Sequence, residues 1–376
     1  YALSGTVIDP ANGSIQLATN WTLDNYGSFL VACANTDGTL YYWDNLAATA
    51  IVMPGAPTNN SSVIVSEERF VFALGAAGNR ALVQWSDQED FTTWTPAATN
   101  QAGDFELQTN GAILNAIRVS GQMLIITTAD AHTATFQGAP FVYAFDRVGN
   151  GCGMFGPQSA VATDSFACWM GPNGFHIFDG FVKPLPSDVY DYIYSDINIG
   201  QAAKVAAWNN SATSEVWWHY PSSGSVECDR YVAWSYRENT WTVGAIARTC
   251  GSSDGVYDNP LMASPDGYLY RHEVGYLYDG AVPFAESGPI ELGNGDNVYM
   301  ARHLYPDELT AGDVSCTFRT RFYPNGPEYS AGPYSLLSPT SVRFTGRQVV
   351  MRVDGDRNAD WRFGIPRLDV AAGGLR

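Results

Sequence analysis

Arginine dominates the chemistry of this sequence: of 20 basic residues only Lys183 and Lys204 are lysines. A guanidinium is a planar fork that pairs two-pronged with carboxylates, where an ammonium acts as a point charge. Seven arginines fall in the final stretch, at Arg343, Arg347, Arg352, Arg357, Arg362, Arg367 and Arg376. On strands and turns, such residues suit lasting contacts between packed surfaces, as do large aromatics. The candidate subunit-interface residues are therefore Arg343, Arg347, Arg352, Arg362, Arg367 and Arg376, with Trp217 and Trp218. Codon bias in a GC-rich genome would also replace Lys by Arg, and both readings stand.

Other motifs point to turns. Residues 354–360 (DGDRNAD) place oxygen donors at alternate positions, as a calcium loop does. Ala359, however, occupies the position that needs Gly, and Ile365 the position of the bidentate Glu. Residues 86–94 (SDQEDFTTW) resemble the Asp-box hairpin of sialidase-type propellers, with Asp87 one place early and Asp90 in place of Gly. Even a complete box locks a hairpin, and a glycosidase further needs two carboxylates across a sugar. The pair His272-Glu273 lacks the second His of a zinc protease, and the five histidines are scattered one per strand or strand end. No phosphate-binding or nucleophile-elbow motif occurs, and the glycines of 149–153 (GNGCG) lead into no helix that could hold a phosphate. No catalytic residue, cofactor site or metal site is assigned. Of six cysteines none forms a C-x-x-C; Cys33 and Cys168 read as small core residues, and a Cys228–Cys250 disulfide stays an open pairing.

The elements that must position these residues are hairpins. Residues 165–186 (SFACWMGPNGFHIFDGFVKPLP) read as three short strands joined by Gly-Pro-Asn-Gly and Asp-Gly turns. The same unit, an apolar strand, a turn and an aromatic strand, recurs near residues 29–43, 69–85, 123–136, 215–236 and 264–272. Its spacing of about 40 to 50 residues is that of four-stranded propeller blades. Blades are expected over 21–287, about six of them, behind a lead-in of 1–20. Longer strands from 288 to 376 predict a smaller β-sandwich-like domain, possible partner of residues ahead of Tyr1. Strands are expected there at 297–304, 314–323, 342–345, 348–353 and 361–363. Segments 54–62 and 145–157 read as linkers, the latter's glycines allowing close backbone approach or a flexible joint. Residues 188–204 are the best helical stretch, with Asp188 as cap.

Composition limits the function classes. With 45% hydrophobic and 13% aromatic residues the chain is globular. No apolar run is long enough to span a membrane, and no signal peptide is recognised, although the chain begins at Tyr1, not Met. Net charge −18 argues against a sequence-independent nucleic-acid binder. The charge is uneven: the surplus of acids lies before residue 302, and the remainder carries 10 Arg against 8 acids.

Several segments in order carry a family resemblance: 83–94 (VQWSDQEDFTTW), 169–180 (WMGPNGFHIFDG), 215–220 (EVWWHY) with 230–234 (RYVAW), and 241–249 (WTVGAIART). With 272–275 (HEVG), 346–353 (GRQVVMRV) and 361–376 (WRFGIPRLDVAAGGLR), the chain resembles the tail nozzle or packaged-DNA stabilisation proteins of short-tailed bacteriophages over residues 60–376. The resemblance implies a propeller-bearing structural protein of the virion, assembled in the host cytoplasm as a hexameric ring. Its partners would be the portal and head-to-tail adaptor on one side and tail needle or fibre proteins on the other. Genomic DNA would pass through without specific binding, past an acidic wall that repels phosphate. The family brings no catalytic residues. The alternative is a carbohydrate- or receptor-binding propeller that stacks sugars on Trp217 or Trp218, and a propeller glycosidase is a third.

Overall fold

The computed structural model describes residues 19–252, 257–276, 281–293 and 297–374. It is all-β and divides into two units, Tyr1–Glu273 and Val274–Arg376.

In unit 1 the sheets follow one another along the chain, each an antiparallel meander. The first holds β1 (Trp21–Tyr26), β2 (Phe29–Ala34), β3 (Leu40–Trp43) and β4 (Ile51–Val52). The second holds β5 (Ser62–Val65), β6 (Val71–Leu74), β7 (Leu82–Trp85) and β8 (Gly103–Glu106). The third holds β9 (Ile113–Val119), β10 (Gln122–Thr127), β11 (Asp130–Gly138) and β12 (Val142–Asn150). In the fourth are β13 (Ala160–Ala162), β14 (Ala167–Gly171), β15 (Gly174–Phe178) and β16 (Val182–Leu185). The fifth follows a short helix, α1 (Tyr190–Asp196), and comprises β17 (Ala206–Asn210), β18 (Glu215–Tyr220), β19 (Arg230–Ser235) and β20 (Thr240–Ala245). Three described strands close the series: β21 (Cys250–Ser252), β22 (Leu261–Ala263) and β23 (Leu269–Arg271).

The first five sheets are stacked face to face. A strand shows alternate residues to opposite faces, and in the second, third and fourth sheets both faces are covered. On β6, Phe72 and Leu74 enter a core shared with the third sheet, while Val71 and Ala73 enter one shared with the first. On β14, Ala167 and Trp169 face the third sheet's residues Leu124 and Ile126, while Cys168 and Met170 face Val216 and Trp218 of the fifth. A strand buried on both sides must be apolar without alternation, which accounts for the runs VFAL and ACWM. The first strands of the sheets lie beside one another in chain order, from β1 through β5, β9, β13 and β17 to β21.

The expected hairpins are present, and 165–186 forms β14, β15 and β16, with Gly174 and Gly180 in the positive-φ region their turns require. Segment 145–157 is not a linker, since its first six residues complete β12, which pairs with β11. The glycine at 153 serves close approach: a Cβ there would sit 2.1 Å from the Thr128 carbonyl oxygen. The helix over 188–204 is seven residues long, about two turns, and is followed by a 3-10 segment, Ile199–Lys204. Asp188 does not cap it; the N-cap is Val189, without a side-chain hydrogen bond. Cys228 and Cys250 are both free thiols, so the possible disulfide is not formed.

Unit 2 begins earlier than residue 288 because its first short strands belong with the C-terminal ones. β24 (Phe284–Glu286) and β25 (Ile290–Glu291) both pair with β30 (Gln348–Asp354), reached after β26 (Tyr299–Tyr305), β27 (Ser315–Arg321), β28 (Tyr329–Ser335) and β29 (Thr340–Gly346). β31 (Arg367–Ala372) ends the chain's described strands. One sheet runs β24-β30-β27-β28 and the other β29-β26-β31, and both feed a single core that includes Leu304, Phe318, Val342, Phe344 and Val353. Unlike β14, β27 alternates strictly, with Cys316, Phe318 and Thr320 buried. Residues 361–363 make only a bridge, Ala311 with Arg362, and the strands β28 and β31 lie outside the ranges expected from sequence.

Candidate interaction surfaces

The terminal arginines sort into two groups according to the sheet that carries them. On the larger sheet they are tied down. Arg319 pairs with Glu286 and Glu328, Arg321 with Glu328 at 2.9 Å, and Arg352 with Asp354 at 2.8 Å and Glu286 at 3.9 Å. The Arg352 guanidinium also lies 3.9 Å from the centroid of Phe284. Arg352, an expected interface residue, is thus committed inside unit 2. Arg347 is half-buried between the strands, its N–H donating to the Arg321 carbonyl.

The smaller sheet turns a different face outward. Ala301, Leu304, Val342 and Phe344 are buried on its inner side. Arg343, between Val342 and Phe344, is exposed; Arg367 stands opposite Tyr305 and is exposed as well. Arg302, at the register irregularity between Ala301 and His303, joins them. Among the described residues none of these three arginines forms an ion pair, and the acid on this face, Asp369, lies 3.5 Å from its cross-strand neighbour His303. Sequence reasoning passed over Arg302, although the strand expected at 297–304 contained it. Arg362 is exposed next to the Ala311 bridge, and Arg376 lies outside the described residues.

The two tryptophans belong to the fifth sheet of unit 1, and one corrects an expectation. Trp218 is wholly buried, packed on Phe175 at 5.0 Å and donating from Nε1 to the Ser159 carbonyl. Its side chain can meet neither a subunit nor a sugar, because period two turns it into the core with Val216 and Tyr220. Trp217 faces the other way, half-buried, stacked on Tyr231 at 4.5 Å and donating to Glu215. Beside it His219 accepts the Trp208 indole N–H, and burial pushes its pKa down to about 3, helped by nearby His272 and Arg248. An imidazole held neutral in this way is a packing group.

A shallow open cleft, with enclosed room of only about 10 Å³, lies between the second and third sheets, lined by Ser66, Glu67, Glu68, Arg118, Gln122 and Tyr143. That is below the usual size of a small-molecule pocket, about 300 Å³ upward. Its groups bond to one another: the Tyr143 hydroxyl bridges Ser66 Oγ at 2.8 Å and Glu68 Oε2 at 2.9 Å. Burial drives the Tyr143 phenol above its ordinary range. Arg118 pairs with Asp24 and donates to the Val65 carbonyl, while Asp24 accepts the Val65 N–H. One ion pair thereby clamps β1, β5 and β9 together. Farther along, Asn115 donates to Pro157, and Gln158 donates back to Trp21.

The sequence motifs resolve into turns. Asp87 accepts the N–H groups of Gln88 and Gln101, Trp94 is buried with its indole bonded to Phe91, and Asp90 accepts from Thr92 and Thr93, which holds its carboxyl below the usual range. In 354–360, Asp356 accepts the N–H of Asn358. Among the described residues no cluster of His, Cys, Asp or Glu has a metal-binding arrangement, and no helix is long and apolar enough to cross a membrane.

No family model matches this chain, and no curated protein matches it. Solved structures similar to it include a candidate 6-phosphogluconolactonase from Bacteroides uniformis, at 10% identity over 68% of this chain and 80% of that one, with a TM-score of 0.48. The CNH domain of AfRom2 is 11% identical over 90% of this chain and 98% of its own, with a TM-score of 0.41. A luciferin-regenerating enzyme is 9% identical over 65% and 83%, at 0.40. None of them assigns an activity to this chain.

Proposed function

We propose that unit 1 is a β-propeller of about six blades and that the chain is an interaction module, working through its surfaces rather than through a catalytic pocket. The observation that carries this reading is the stacking of successive sheets: the first five share a core between each neighbouring pair, and the first strands of all six lie side by side. Meanders arranged in that manner generate a radial array.

The form of module we favour is a ring-building structural subunit of the tail-nozzle kind. The ordered motifs over 60–376 support it, as does an acidic unit 1, with 26 acids against 10 bases, which would let a polyanion pass without holding it. Portal and adaptor proteins, tail needle or fibre proteins and transiting DNA would be its neighbours, in a virion. Electron microscopy of the purified chain tests this: rotationally symmetric rings are expected, and strictly single-chain particles would refute it.

A carbohydrate- or receptor-binding module is the second reading, favoured by aromatic side chains held outward on short segments. Phe141 and Phe181 are about four-fifths exposed, at 80% and 79%, and Tyr192 at 53%. The stacking residues would be these and not Trp217 or Trp218. Glycan-array binding that disappears in Tyr192→Ala or Phe181→Ala would establish it; an array blank for the wild type would dismiss it.

A further inference from the structure

We infer that the outer face of the β29-β26-β31 sheet is a docking surface for an acidic protein surface, namely unit 1 of a second copy of this chain. The inference rests on the reading of the chain as an assembly module and names the face through which it assembles. Three arginines stand on that face, Arg302, Arg343 and Arg367, and none has an ionic partner among the described residues. Around them Met300 and Tyr305 are 44% and 41% exposed, an aromatic and a polarisable side chain set among guanidinium groups. Composition of this type marks contact surfaces. The contrast with the other sheet of unit 2 is the deciding point. There Arg319, Arg321 and Arg352 are matched by Glu286, Glu328 and Asp354 from neighbouring strands. On the outer face the acid among the described residues of these strands, Asp369, adjoins His303.

Charge complementarity identifies the occupant. Unit 1 carries 10 basic and 26 acidic residues, net −16, whereas unit 2 carries 10 and 12, net −2. An arginine face in a chain of this charge meets its strongest counter-surface on another copy. Contact between unlike surfaces of identical chains is head-to-tail, the type that closes into rings. Nucleic acid is the competing occupant and is disfavoured by the net charge of −18.

Sedimentation velocity on the full chain decides the matter, run in about 50 mM and about 500 mM salt, where screening lengths differ severalfold. The wild type is expected to self-associate in low salt and to weaken by at least about tenfold in high salt. R302E/R343E/R367E should remain monomeric in low salt, and R302K/R343K/R367K, which keeps the charge but loses the two-pronged pairing, should associate more weakly than the wild type yet more strongly than the Glu variant. Should the triple Glu variant lose its fold by circular dichroism, R343E alone replaces it, with weakened association expected. Wild-type association that the folded Glu variant retains would overturn this face while leaving the assembly reading intact. A wild type that stays monomeric in both salts would overturn both, as would one that binds duplex DNA without self-association.

Discussion

Strands β14 in unit 1 and β27 in unit 2 are both interior strands of their sheets, yet they solve opposite problems. Ala167–Gly171 is buried at every position, because sheets lie against both its faces. Ser315–Arg321 is buried at every second position, because a core lies on only one side. The consequence reaches the whole of each unit. Where both faces are covered, strands such as β6 and β14 hold no charged residue, and acids such as Asp37, Asp87 and Asp179 stand in the connections between strands. Where one face is open, every second residue is available to do something else, and unit 2 uses several of those positions for arginine.

Substitutions at the two kinds of position should separate sharply. Trp218→Ala removes a fully buried ring from the core between the fourth and fifth sheets and is expected to cost about 3–5 kcal/mol in denaturant unfolding. Loss of under 1 kcal/mol would mean the face-to-face stacking is wrong. Gly153→Ala drives a Cβ toward the Thr128 carbonyl and should cost about 1–3 kcal/mol, read as a lowered melting temperature. Asp24→Ala strips the clamp across β1, β5 and β9, leaving the Val65 N–H without its acceptor, and about 1–2 kcal/mol should go with it. Arg343→Glu, on the open face of unit 2, should leave stability within about 0.5 kcal/mol of the wild type.

A pH series sharpens the same contrast. His219 in unit 1 is held neutral by burial, and His132 and His176 are lowered by burial in the same direction. In the unfolded chain these imidazoles take up protons near pH 6.5, about their ordinary value. The folded protein therefore binds fewer protons in that range. Stability should be complete above about pH 6.5 and decline as the pH falls from there toward 3. His219→Gln should be less stable at neutral pH, having exchanged the imidazole that accepts from Trp208, but show a shallower decline with acid. A slope identical to the wild type's would show that His219 titrates normally.

Much of this was legible because the turns are local. Gly-Pro-Asn-Gly and Asp-Gly bracket β15 in the sequence as they do in the fold, and each hairpin strand of 29–43 or 215–236 is read from residues a few places apart. Three features were hidden by the same glycines and prolines that mark turns elsewhere. The end of β12 contains Gly149, β28 contains Gly332 and Pro333, and the segment before β31 contains Gly364 and Pro366, so all three looked like loops. Trp217 and Trp218 are adjacent in a strand and so face opposite ways, but which of them is sealed depends on the neighbouring sheet. The Asp24–Arg118 clamp joins residues 94 positions apart, and nothing around either residue announces the other. The unpaired state of Arg302, Arg343 and Arg367 is likewise a property of the sheet, visible only once the acids that serve Arg319 and Arg352 are located.

Direct imaging tests the central claim, that six successive meanders build a module whose work is assembly. Purified full-length chain, imaged by electron microscopy in low salt, should give closed rings of copies, each with a radial array of sheets. Isolated single chains at the same concentration, or particles whose sheets pack as one linear stack, would contradict it.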